Sequence, residues 1–401
     1  MTSPIHMKIS EPSVPGPAPR RVALFNLGFR PFYLLAALFA AVGMLAWMAA
    51  LEGVGWEGEM SPLAWHQHEM VFGFALAVMA GFLLTAGQVW TGVRMPHGWT
   101  LALIAAHWLA ARVLLFTGPP LVAAAVDVAF PFVLAAVLGR AIIAAGSRRN
   151  YFAVALLCAL GLANLWFYLE QAAVGGIVPG LSVQAALYLV MLMVVVIGGR
   201  VVPSFTASAL PLAGVRVRNP VLDWSALGFT LLAFAGALAA APAWFVAPAA
   251  GAAALLHAVR QWRWAPWATR HRPLLWILHV SHAWIPLGLA LLALASLGWV
   301  APDVPLHAFG AGAIGGMIMG MITRTALGHT GRPLQVGWPE IASYVLVHAA
   351  ALARVAASLL PADAYAALVS AAGHLWALAF ILYFVVYLPR LVLPRIDGKP
   401  G

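Results

Sequence analysis

Long apolar stretches, each about the length of one bilayer crossing, alternate with short polar or proline-rich breaks along almost the whole chain. A membrane helix needs about 20 apolar residues. By that measure spans are expected near 31–52, 64–88, 99–117, 121–144, 152–172, 181–202, 222–240, 243–260, 273–297, 304–326, 340–360 and 364–388. The breaks carry the turn residues expected of them, with Gly-Pro-Pro at 118–120, Ala-Pro at 241–242, Trp-Val-Ala-Pro at 299–302 and Pro361. The pattern predicts an all-α, polytopic integral membrane protein of about 12 transmembrane helices. A Pro-rich basic tail (1–30) precedes a single membrane domain (31–388), and a second basic tail (389–401) follows it. The first apolar stretch is a full span behind a polar, basic leader, so no cleaved signal peptide is expected.

The charges give the spans a direction. Even-to-odd connections hold Arg94; Arg140, Arg148 and Arg149; Arg200, Arg216 and Arg218; Arg260, Arg263, Arg270 and Arg272; Arg324 and Arg332. The tails hold Lys8, Arg20, Arg21, Arg30, Arg390, Arg395 and Lys399. Odd-to-even connections hold Glu57, Glu59, Asp303 and Asp363 and neither Lys nor Arg. Positive loops stay inside, so both termini are expected in the cytoplasm. Of the 22 basic residues, all but Arg112 and Arg354 obey this rule, and the net charge of +10 is therefore a topology signal, not a nucleic-acid surface. Charged residues make up 8% of the chain against about a quarter in soluble proteins, so lipid is the main solvent. The single cysteine, Cys158, excludes an intrachain disulfide and a Cys-x-x-Cys-His attachment. No phosphate-binding G-x-x-x-x-G-K-[ST] loop occurs, which argues against ATP as a partner. Many of the 17 tryptophans fall at predicted boundaries, where interfacial belts form.

Charges inside the membrane are costly and mark paired networks or sites. Glu69, Arg112, Asp127 and Arg354 fall at one depth, roughly 7–10 Å below the outer boundary at helical rise. They read either as structural ion pairs, with Glu69 and Asp127 the acids, or as arginines that hold anionic groups of a ligand. Histidines form two layers. His66, His68 and His307 lie near the outer ends of spans 2 and 10. His107, His282, His348 and His374 lie near the midplane of four spans, with His279 one turn from His282. A lone membrane histidine is commonly a hydrogen-bond donor between helices; four at one depth point instead to a metal, for which imidazole is the commonest ligand. His66 and His68 point in opposite directions, so one of them faces inward.

Span 10 reads HAFGAGAIGGMIMGMITR, with Gly312, Gly316 and Gly320 on one face. That face fits close helix packing or a flat ligand. Span 6 ends in GGRVVPSFT, where Pro203 is expected to break the helix. Span 10 ends in RTALGHTGRP, a basic turn with Arg324, His329 and Arg332 that reads as solvated topology charge or as a phosphate or carboxylate site.

These stretches, together with LGFRPFYLLA (27–36), WHQHEMVFGFALAVMAGFLLTA (65–86), WTG (90–92), GRVVPSFT (199–206) and LGHTGR (327–332), resemble the NnrS family of bacterial membrane proteins. The resemblance covers nearly the whole chain in order. Positions 88–89 read Gln-Val where the family pattern puts an Asn beside the Trp. The resemblance implies a twelve-span inner-membrane protein that carries haem and copper and is linked to nitric oxide tolerance and denitrification. With a lone cysteine, the haem it implies is haem b. On that reading His68 and His307 ligate an outer-side haem between spans 2 and 10, with His66 the rival of His68, and Arg112 and Arg354 hold the propionates. His282, with His279, His348 and His374, is the copper set. Nitric oxide is the small-molecule partner and membrane lipid the solvent; whether the chain is an enzyme is left open. Two other readings compete, a metal-free twelve-span secondary transporter and a sensor or assembly factor without turnover.

Overall fold

The apolar stretches become twelve long helices in the computed structural model, which describes residues 22–56, 58, 60–173, 180–216 and 219–399. They are α1 (Phe29–Leu51), α2 (Pro62–Thr91), α3 (Trp99–Thr117), α4 (Pro120–Ala144), α5 (Arg148–Gln171), α6 (Leu181–Ala209), α7 (Pro220–Leu238), α8 (Ala243–Trp262), α9 (Pro273–Ser296), α10 (Asp303–His329), α11 (Trp338–Ala357) and α12 (Ala362–Val392). The described residues contain no strand. Every expected span is a helix, and the chain is a multi-pass membrane protein. Lys8, Arg20, Arg21, Glu57, Glu59 and Arg218 lie outside the described residues.

Local chemistry sets the helix ends. Pro62, Pro120, Pro220 and Pro273 open their helices, where a missing N–H costs nothing. Asn219 Oδ1 caps α7 by accepting from Leu222 N at 3.2 Å, and Glu340 reaches back to Gly337 N at 3.0 Å at the start of α11. Pro203 does not end its helix: α6 continues six residues beyond it, to Ala209. Proline removes one N–H and can be carried as a local irregularity. The hydroxyls of Ser204 and Thr206 back-bond to Arg200 O and Val202 O around it.

Most consecutive helices pack side by side, α2 packs on α4 instead of α3, and α12 returns to pack on α1. Two helices occupy the middle. The apolar stretch of α2 is 83% buried and that of α10 is 78% buried, whereas the other ten run from 28% to 67%. α6 touches both of them. The two central helices share a further irregularity. Each begins as a short α-helix, passes through a π-helical segment (Glu69–Ala75 in α2, Ala308–Gly315 in α10), and continues as α-helix. π segments inside helices cluster at functional sites. The glycine face of α10 is filled by neighbouring side chains. A methyl on Gly312 would strike the Trp284 ring, one on Gly316 would meet His348 Cε1 and Ser281 Oγ at 2.5 Å, and one on Gly320 would meet Leu278 at 2.7 Å. The glycines serve close packing of α10 against α9 and α11, and leave no flat face for a ligand there.

Candidate functional site

The first polar centre gathers on α2, α3, α4 and α5. His68, Glu69, Arg112, Asp127 and Asn164 are all buried there, with no more than 6% exposure. Arg112 pairs with Asp127, and its Nη1 lies 3.2 Å from Glu69 Oε2 in an ion contact without hydrogen-bond alignment. Asp127 Oδ2 also accepts from Asn164 Nδ2 at 2.8 Å and from Tyr168 Oη at 3.1 Å. His68 Nδ1 faces Glu69 Oε1 at 2.8 Å; its Nε2 faces Asn164 Oδ1 at 2.9 Å and Asp127 Oδ2 at 3.1 Å. Both ring nitrogens thus meet acceptor oxygens, a set that closes when both donate. Phe72 and Phe167 cover the His68 ring at 4.8 and 4.6 Å.

Three of the four intramembrane charges expected in one layer are therefore brought together, and His68 joins them. Arg354 is elsewhere: its guanidinium holds Asp303 Oδ2 at 3.0 Å and Ser358 Oγ at 2.8 Å, where α10 begins and α11 ends. Asp303, counted as a loop charge from the sequence, sits close enough to take it. His68 has both ring nitrogens engaged and two aromatic rings against it, and Arg112 is held between two carboxylates.

The second centre lies at the N-terminal ends of the two central helices. His66 points away from His68, stacks on Trp47 at 4.6 Å, and lies in electrostatic range of His307 and Arg354. Its Nδ1 is buried without a hydrogen-bond partner. His307 Nδ1 donates to Asp303 O at 2.8 Å, which fixes the tautomer and leaves Nε2 as a lone pair. Just beyond Ser358, a recess of about 490 Å³ opens between the α9–α10 turn and the end of α11.

The third centre lies deeper, among α6, α7, α8 and α9. Gln261 Nε2 donates to His279 O at 2.7 Å, so its Oε1 accepts from His282 Nδ1 at 2.9 Å. His282 is thereby held as the tautomer with a bare Nε2, and that nitrogen is buried without a partner. Thr206 spends its hydroxyl proton on Val202 O, so His279 Nε2 donates to Thr206 Oγ1 at 2.9 Å and leaves Nδ1 bare, also buried and unpartnered. Orientation of a ligand histidine by a hydrogen bond to its other nitrogen is a usual feature of metal sites. His257 stands 5.8 Å from His282, ring to ring, but its nitrogens are taken by Thr230 and Arg260. Arg260, which the sequence reads as a topology charge, is buried and paired with Asp223 at 2.8 Å.

The other midplane histidines are apart from this pair. His348 Nδ1 accepts from Trp284 Nε1 at 3.2 Å and its Nε2 faces Ser281 Oγ, so it has no lone pair to offer. His374 is exposed on the outside of α12 and bonds Ser370 O. His107 bonds Val126 O at 2.7 Å. Among the described residues no three His, Cys, Asp or Glu side chains gather closely enough to hold a metal ion. Sequence reasoning missed Asn164, Tyr168, Gln261 and His257. Asn164, Tyr168 and His257 are polar residues inside apolar spans, the one signal that marks them, whereas Gln261 lies one residue past the expected end of its span, and only the longer observed helix brings it in.

The family described as NnrS protein matches residues 23–395, nearly the whole chain. A search of curated proteins finds no match.

Proposed function

The chain belongs to the NnrS family of nitric oxide-related membrane proteins, and from that premise we propose that it is a haem- and copper-binding protein of the bacterial inner membrane that handles nitric oxide. The observation that carries the reading is the pair of imidazoles at the outer ends of α2 and α10. His307 presents a bare Nε2 and His66 a buried, unpartnered Nδ1. Two central helices deliver them to one place from opposite ends of the sequence.

These donors fit haem b. Imidazole is a good axial ligand, and the protein tunes the iron through that ligand and its surroundings. His307 and His66 are the proposed ligands, and Arg354, fixed by Asp303 and Ser358, is the proposed propionate partner. Bound haem supplies an iron centre that can coordinate nitric oxide. The protein's own part is to orient and shield. Asp303 O holds His307 in the ligating tautomer, Trp47 keeps the His66 ring flat, and the ion centre of His68, Glu69, Arg112 and Asp127 pins α2 below the site. Copper is assigned to His279 and His282, whose bare nitrogens are the unpartnered imidazole atoms of the deeper centre. Imidazole suits copper among the common metals.

Haem content and the reduced-minus-oxidised visible spectrum, with and without nitric oxide, test the reading. His307→Ala and His66→Ala are expected to lose haem or change its spin state, while His68→Ala lowers folded yield but leaves the spectrum of the surviving protein unchanged. Wild-type spectra in both His307→Ala and His66→Ala would overturn the assignment.

A further inference from the structure

The LGHTGR turn at the cytoplasmic end of α10 has no part in the centres above. It is nevertheless closely built. Ala23 N donates to Val392 O at 2.7 Å, Ile396 N to Thr330 O at 3.3 Å, and Arg395 Nη1 to His329 O at 2.9 Å. The leader, the turn and the C-terminal segment are thus tied together. Gly331 has φ of +73°, and a methyl there would lie 2.7 Å from the Asp397 carboxyl carbon. The turn can pass under the C-terminal segment because that residue is glycine.

The charges of this rim do not balance. Glu340 is taken by Arg390 at 2.7 Å, and Asp397 by Arg395 at 2.5 Å. Among the described residues Arg332 has no carboxylate partner, and its Nη1 is buried without a hydrogen-bond partner. Burial and the nearby Arg390 guanidinium push Arg332 below the ordinary arginine value. A shielded guanidinium beside a second one, with no acid of its own, is an arrangement that an anion completes. Beside it, Leu334, Leu393 and Ile396 lie beyond the helix ends and are 48%, 48% and 61% exposed. Apolar residues outside the spans, next to an uncompensated cation, fit the boundary where lipid chains meet headgroups.

We propose that Arg332, with Arg390 beside it, binds an anionic phosphate group at the cytoplasmic rim of α10 and α12, supplied by an acidic phospholipid seated over Leu334, Leu393 and Ile396. Polybasic segments at membrane surfaces attract anionic lipid generally. This site differs in being one partly buried guanidinium held by a folded turn, so one lipid is retained per chain.

Native mass spectrometry of the full chain, purified in neutral detergent and exposed to phosphatidylglycerol or phosphatidylcholine, counts what is retained. A parallel thermal unfolding series adds each lipid or inorganic phosphate. Wild-type protein is expected to keep one phosphatidylglycerol through detergent washing and to gain several degrees of thermal stability from it, with little from phosphatidylcholine. Arg332→Gln should lose both the retained lipid and the gain, Arg332→Lys should keep part of each, and Arg148→Gln on another basic loop should keep all. If inorganic phosphate alone gives the full gain and phosphatidylglycerol adds nothing, the anion site stands and the lipid source falls. Equal retention by wild-type and Arg332→Gln protein, or no preference of the wild type for phosphatidylglycerol, overturns the proposal. If Arg332→Gln does not fold, Arg332→Lys and the wild-type lipid preference decide the matter alone.

Discussion

Arg112→Met is the most informative single change in the ion centre. It keeps an unbranched chain beside Trp108, over which the guanidinium carbon now lies 5.8 Å from the ring centroid, and removes the charge. Breaking a buried ion pair by deleting one partner costs about 3–5 kcal/mol, roughly a hundredfold to several thousandfold in the unfolding equilibrium. The two carboxylates do not suffer equally. Asp127 retains donors from Asn164, Tyr168 and His68. Glu69 Oε2 has no hydrogen bond, and its one charged neighbour at that oxygen is Arg112. Most of the loss therefore falls on Glu69. Adding Glu69→Gln to Arg112→Met should recover more stability than adding Asp127→Asn. Denaturation in mixed detergent–SDS micelles, followed by tryptophan fluorescence, measures all six proteins: wild type, the three single variants and the two double variants. Recovery by Asp127→Asn equal to or larger than that by Glu69→Gln would refute the donor arithmetic, and strictly additive effects in both double variants would refute contact altogether.

Other outcomes are expected from the remaining centres. His282→Ala should lower bound copper, measured by elemental analysis, with haem content intact; His348→Ala should leave copper unchanged because Trp284 already occupies its Nδ1. Gly316→Val should drive α10 off His348 and Ser281 and cost about 1–3 kcal/mol, the usual range for overpacking; unchanged denaturation would show that the helices have room. A reporter active outside the cytoplasm should be bright when fused in 53–63 or 361–363 and dark in 207–220 or 262–272, and one reversal among the basic loops would sink the assigned orientation.

The architecture was legible because lipid imposes a length. Each span needs enough apolar residues to cross, and the breaks between them carry proline and charge. The ion centre was legible for a related reason: charges at one depth must find each other or stay unmet. Depth, however, carries no azimuth. Arg354 shares a depth with Glu69 and Asp127, yet sits against α10 and takes Asp303. His348 and His374 share a depth with His282, yet one faces α9 from α11 and the other faces outward. Which histidine keeps a free lone pair depends on Gln261 and Thr206 across the interface, and no spacing within α9 encodes that. Pro203 misled for a simpler reason. A proline removes a single donor, and the hydroxyls of GGRVVPSFT are placed to stitch the helix around it.

The π segments of α2 and α10 set the direction in which the residues beside them point. A π turn holds one residue more than an α turn. If that surplus migrates along the helix, the residues it passes turn by one position, about 100°, and shift by about 1.5 Å. In α2 the surplus lies directly inward of His66 and His68, and in α10 directly inward of His307. Moving it outward past these histidines would swing His66 from Trp47 toward another neighbour and pull His68 out of its carboxylates, so the ion centre acts as a detent on the rotation. The aim of the histidines on the two central helices is thus set by where each π turn sits, and the carboxylates around His68 hold that setting in α2.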